Sequence, residues 1–164
     1  MEQKLTSIPE SINSLKSRQT GSMLLEALIS VLIFSMGILA IIGLQAASVK
    51  ASSDAKYRTE ASFYANELIG KMWVSSRSVA ALTASFAGTG GAGGTEYVAW
   101  TGNASTLAAG TIMGDLPGAQ LNPPSVVVES VPGGHQSSKV TITIHWQLPG
   151  ESTVHQYITV AQIS

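Results

Sequence analysis

Gly21-Ser22-Met23-Leu24-Leu25-Glu26-Ala27-Leu28-Ile29-Ser30-Val31-Leu32-Ile33-Phe34 opens the one long hydrophobic segment of this chain and sets a single carboxylate, Glu26, five residues after Gly21. Nothing is charged from residue 27 to residue 49. At about 1.5 Å per residue those positions span roughly 35 Å of helix, enough for a bilayer core of about 30 Å. An ionised side chain at mid-membrane costs about 2.5–3.5 kcal/mol on insertion scales, so a carboxylate kept beside such a segment has a partner or a task.

Ahead of the apolar run lies a polar leader, residues 1–20, carrying Lys4, Lys16 and Arg18 against Glu2 and Glu10. A secretory signal peptide has an apolar core of about 7–15 residues, shorter than this one, although Ala46-Ala47-Ser48 keeps that reading open. A plain signal anchor explains the span but not Gly21 and Glu26 at their spacing. A carboxylate idle at the headgroup level explains Glu26 alone but not the whole string.

Gly21-Ser22-Met23-Leu24-Leu25-Glu26, followed by Phe34-Ser35-Met36-Gly37-Ile38-Leu39-Ala40-Ile41-Ile42-Gly43-Leu44-Gln45, resembles the start of a type IV pilin precursor, a minor pilin above all. The nearest relatives outside that group are the minor pseudopilins of type II secretion. The resemblance is close from Gly21 to about Gln45 and looser over the rest. It implies cleavage by a prepilin peptidase between Gly21 and Ser22, N-methylation of Ser22, and an assembly contact through Glu26. It implies as partners the peptidase, other minor pilins and the major pilin, the inner-membrane assembly platform and the membrane itself. The chain would sit in the inner membrane as a single-pass protein, head in the periplasm, and in the extracellular pilus after assembly. Two departures stand out. Ser22 replaces the phenylalanine usual at the mature N-terminus, which bears on methylation more than on cleavage. Cysteine is absent, so the C-terminal disulfide of many major pilins cannot form.

Composition sets outer limits. The 164 residues amount to about one domain, 45% hydrophobic and 12% charged, low in charge for a soluble protein. Removing residues 1–21 takes away three basic and two acidic residues and moves the net charge from −1 to −2. No basic face points to nucleic acid. Lys16 and Arg18 before the span are balanced by Lys50, Lys56 and Arg58 after it, so charge gives little orientation and the cytoplasmic leader follows from the resemblance.

Beyond Val49 the pattern turns amphipathic. Tyr57, Ala61, Tyr64, Leu68 and Met72 recur at steps of three or four with Ala65 beside them, which predicts a helix continuing to about Ser76 and packed from about Ala61. Asp54 with Arg58 and Glu67 with Lys71 form acid-before-base pairs four apart, each worth about 0.2–0.5 kcal/mol. Gly37 and Gly43 interrupt the apolar half at roughly 0.8–1 kcal/mol each relative to alanine. They mark a point of helix flexibility, or they reflect the ordinary frequency of glycine in membrane helices.

The remaining chain reads as a connection and a sheet. Residues 80–124 read as a Gly/Ala-rich connecting region, flexible from Ala81 to Gly94, with one short strand at 95–101 bounded by Gly94 and Gly102. Residues 125–131 form a strand. Val140, Ile142, Ile144, Trp146 and Leu148 alternate with polar residues, the period-two mark of a half-buried strand. After Pro149-Gly150, Val154, Ile158 and Val160 continue an apolar face on the return, interrupted by Gln156 and Gln162.

The expected organisation is therefore leader 1–21, membrane or filament-core half-helix 22–49, amphipathic half-helix 50–79, connecting region 80–124 and antiparallel sheet 125–164. The fold class is α+β: a long N-terminal helix packed on a C-terminal antiparallel sheet. No catalytic set emerges. His135, His145 and His155 fall ten apart, with His145 and His155 on facing strands as possible neighbours, and they lack the converging ligands a metal needs. The glycines at 88–94 lack the GK[ST] of a phosphate loop. The expectation is a structural subunit without cofactor or metal. A signal-anchored periplasmic binding or sensor domain is the alternative of another class.

Overall fold

The computed structural model describes residues 20–132 and 137–164, so the leader before Thr20 and His135 lie outside the described residues. The chain divides into two compact units, 1–47 and 48–164. One helix, α1 (Thr20–Val74), accounts for the described part of the first and opens the second; at 55 residues it ends two residues before the expected Ser76. Ser75 closes it, its amide and its hydroxyl both donating to the Met72 carbonyl.

In the second unit α1 buries Ala61, Tyr64, Ala65, Leu68 and Met72. The expected amphipathic stripe thus forms one wall of the core. The opposite wall is the antiparallel meander β3 (Ser125–Ser130), β4 (Ser138–Trp146) and β5 (His155–Ile163). β4 is central, paired with β3 from Ser125↔Thr143 to Ser130↔Ser138 and with β5 from Ser138↔Ile163 to Trp146↔His155. Val140, Ile142, Ile144 and Trp146 are all fully buried, as their alternation predicts. The class is α+β, and the plan is pilin-like: a long N-terminal helix, apolar in its first half, whose second half packs on a C-terminal antiparallel sheet.

Residues 81–94, expected to be a flexible connection, are structured, as is the rest of the connecting region. Ser78 accepts from the amide of Ala81 and starts α2 (Val79–Phe86), which buries Leu82 and Phe86. A hairpin follows, β1 (Gly88–Thr89) and β2 (Ala92–Gly93), and extends the sheet to the order β2-β1-β3-β4-β5. Gly90 and Gly91, with φ of 64° and 82°, supply the two left-handed residues that such a two-residue turn requires. At Gly88 an added Cβ would lie 2.4 Å from the Tyr97 ring, so this glycine serves close packing rather than freedom.

The strand expected at 95–101 is instead a helix, α3 (Thr95–Thr101). Tyr97, Trp100 and Thr101 fall three and four apart and bury one face, and that spacing overrides the β preference of isolated aromatic and β-branched residues. Gly102, at φ 83°, stops it. Trp100 Nε1 then donates to the Tyr64 carbonyl at 2.9 Å, and Tyr97 Oη donates to the Pro124 carbonyl at 2.6 Å. A short α4 (Ile112–Asp115), capped by Thr111, completes the layer and brings Asp115 to the Tyr64 hydroxyl.

β5 also departs from expectation. The residues facing inward are His155, Tyr157, Thr159, Ala161 and Ile163, while Ile158 and Val160 point outward, 52% and 57% exposed. Register decides this, because Trp146↔His155 places every odd-numbered residue of β5 on the core face. The same register puts His145 opposite Gln156 rather than beside His155, so the two histidines lie on opposite faces of the sheet.

Candidate assembly site

The residues singled out by sequence all lie on the first unit's part of α1. Gly21 and Ser22 occupy its first turn, immediately after Thr20. Glycine here lowers the cost of unwinding the helix at this point. Glu26 follows one turn later, exposed, with no ion-pair partner among the described residues.

At 3.6 residues per turn, Ser30, Ile33, Gly37, Ala40 and Leu44 share the Glu26 face of this helix. Gly43 lies roughly a quarter turn away from that face. Gly37 and Gly43 are thus not two halves of one notch. A Cβ at either would meet nothing within 4 Å, so no contact within the chain accounts for them. α1 remains helical through both.

Sixteen large apolar side chains between Met23 and Val49 are exposed, from 41% at Ile38 to 75% at Leu44. Burying a side chain of this kind contributes about 1.5–3 kcal/mol. The summed penalty in water runs to tens of kcal/mol, so this surface is built for lipid or for other apolar helices. The helix is long and apolar enough to cross a membrane. A membrane anchor and a signal sequence both have this property.

The head carries a polar cluster that the sequence did not disclose. Lys50 Nζ lies 2.6 Å from Glu151, and Glu151 lies 2.9 Å from His155 Nε2. His155 Nδ1 lies 3.0 Å from Asp54, which also accepts from Trp146 Nε1 at 3.1 Å. The imidazole stacks on the indole, centroids 5.8 Å apart and planes 15° from parallel. Hydrogen bonds from Lys50 and then His155 hold the Glu151 carboxyl below its ordinary range. Asp54 consequently pairs with His155 and Trp146 and not with Arg58, whereas the expected Glu67–Lys71 pair is present at 2.8 Å. Helix packing therefore begins near Asp54, earlier than the apolar stripe alone implied.

Across the core, burial and then the hydrogen bond to Asp115 push the Tyr64 phenol well above its ordinary range. Among the described residues no group of three or more histidines, aspartates or glutamates is arranged to hold a metal ion. No protein-family model, curated protein or solved structure matches the chain.

Proposed function

We propose that this chain is a minor pilin subunit, cut between Gly21 and Ser22 by a prepilin peptidase and taken into the initiating or tip complex of a type IV pilus. The observation that carries the reading is the exposed apolar half of α1, headed by Gly21-Ser22 and bearing Glu26 on a face shared with Gly37. Its N-terminal string is most like that of the minor pilin PilV. A minor pseudopilin of a type II secretion system shares these features and differs in the fibre the subunit joins.

The steps follow from the chemistry of the segment. Unwinding the first turn gives a peptidase extended backbone at Gly21, where the lack of a side chain permits close approach. Cleavage leaves the Ser22 amine, the atom that N-methylation would modify. In lipid the Glu26 carboxylate has no partner, whereas in a bundle of like helices it accepts a charge-assisted hydrogen bond from a neighbour's N-terminal amine. That difference favours ordered transfer from membrane to bundle and sets the stagger between subunits. The head then remains in the periplasm until assembly carries it outward. In this role the chain is a structural subunit and the peptidase's substrate.

The deciding measurement is the intact mass of the protein from cells with and without the peptidase. Maturation to a chain beginning at Ser22 only when the peptidase is present is the expected result. A leader retained in both would overturn the proposal and favour a signal-anchored periplasmic domain. Co-isolation with pilus shafts, rather than with a secretion pseudopilus, separates the two systems.

A further inference from the structure

We propose that the Lys50–Asp54–Glu151–His155 cluster is a proton-operated clasp that holds the first turns of the packed part of α1 to the turn between β4 and β5. This device belongs to the head and stands independently of the leader and of Glu26.

The hydrogen-bonding geometry supplies the argument. His155 has an acceptor-only carboxylate at each ring nitrogen, Asp54 at 3.0 Å from Nδ1 and Glu151 at 2.9 Å from Nε2. A ring with two protons donates on both sides; a ring with one turns a lone pair toward a carboxylate and breaks one link. Charge gives the same answer. Lys50 and a doubly protonated His155 balance Asp54 and Glu151, and loss of the proton leaves a net negative charge in a partly enclosed place.

Every element packed around the ring takes part. α1 supplies Lys50 and Asp54, the turn supplies Glu151, and β4 supplies the indole of Trp146, stacked on the imidazole and bonded through Nε1 to Asp54. Trp146 is fully buried, so its N–H reaches solvent only if Asp54 moves away. The closed clasp binds a proton that the open one releases, and raising the pH therefore opens it. Opening frees Lys50 and Asp54 from the turn while the apolar packing from Ala61 to Met72 stays in place.

The test is NMR of the full chain in detergent micelles, following hydrogen exchange at the Trp146 indole N–H and the ring nitrogens of His155. Protection of the indole N–H, corrected for intrinsic base catalysis, should fall about tenfold between two pH values on either side of the ring's own NMR-observed proton loss, in step with that loss. In His155→Gln the protection should become independent of pH while β4 amides stay protected. Equal protection at both pH values in the unmodified chain, or an unchanged pH dependence in His155→Gln, would overturn the clasp. Should His155→Gln lose β4 protection, the unmodified chain still decides: a ring that titrates without shifting the amides of Lys50 and Asp54 counts against the proposal, and one that moves them together supports it.

Discussion

Residues 23–49 and 57–72 belong to one helix with one backbone geometry, yet they solve opposite problems. The first stretch exposes Leu, Ile, Val, Met and Phe around the whole circumference, with no face reserved for a core. The second packs Tyr57, Ala61, Tyr64, Ala65, Leu68, Ile69 and Met72 on the core and leaves Phe63 and Asn66 exposed. A helix apolar all round is specified by its surroundings, and an amphipathic one by its own chain. Substitutions in the second stretch should therefore register as stability, and those in the first as processing and assembly.

The largest effect expected on the stability side is at Trp146, fully buried and bonded to Asp54. Trp146→Ala should cost about 3–5 kcal/mol, a large part of the total for a small domain. Urea unfolding of the full chain in micelles, followed by near-ultraviolet dichroism, measures it. A loss below about 1 kcal/mol would mean that the indole does not sit in the core.

The two faces of β5 sharpen the contrast further. Ile163 is fully buried, whereas Ile158 is 52% exposed. Ile163→Ala should cost about 2–5 kcal/mol, and Ile158→Thr should stay within about 0.5 kcal/mol. Reversed values in the same unfolding assay would move the strand by one residue and restore the face that the sequence implied.

That strand also marks where legibility ended. Periodicity was enough for the half-buried β4 and for the α1 stripe, because each alternates cleanly between apolar and polar positions. β5 carries apolar residues on both faces, and its inward side is filled by His155, Thr159 and Ala161, which no hydropathy pattern selects. Residues 95–101 misled for a related reason: Tyr97, Val98 and Trp100 suit a strand, and only the packing of Tyr97 and Trp100 in the core beside α1 chooses the helix. Of the proposed site residues, Gly21, Ser22 and Glu26 fall within one six-residue string that can be read without any fold. The Lys50–Asp54–Glu151–His155 cluster joins parts of the chain about a hundred residues apart, and only the packing of α1 beside the end of β4 and the start of β5 brings them together.

On the assembly side, Glu26→Ala should leave unfolding of the head unchanged, since the carboxylate touches no part of the described chain. On the proposed assembly contact, its loss would remove one charge-assisted hydrogen bond, worth about 1.5–3 kcal/mol. Co-purification of partner pilins should accordingly fall by about tenfold or more, with maturation to Ser22 intact. Undiminished co-purification would remove Glu26 from the assembly contact.

The smallest effect separates Glu26 from the other carboxylate, Glu151, which the folded head supplies with partners of its own. Lys50 and His155 hold the Glu151 carboxyl below its ordinary value of 4.5 in the folded chain. A depressed carboxyl stabilises the fold at pH values above the unfolded pKa and loses that contribution as the pH falls through the folded pKa. The unmodified chain should thus be more stable than Glu151→Gln at about pH 6, and the gap should close as the pH falls through the depressed folded value of the carboxyl. Because Glu151 meets solvent, the difference should be modest and should shrink with added salt. A gap that widened in acid would mean that Glu151 is held in its protonated form, and Lys50 could not then be its partner. The same titration of Glu26→Gln should leave the head's unfolding curve where it was, since the first stretch of the helix answers to its surroundings and the second to its own fold.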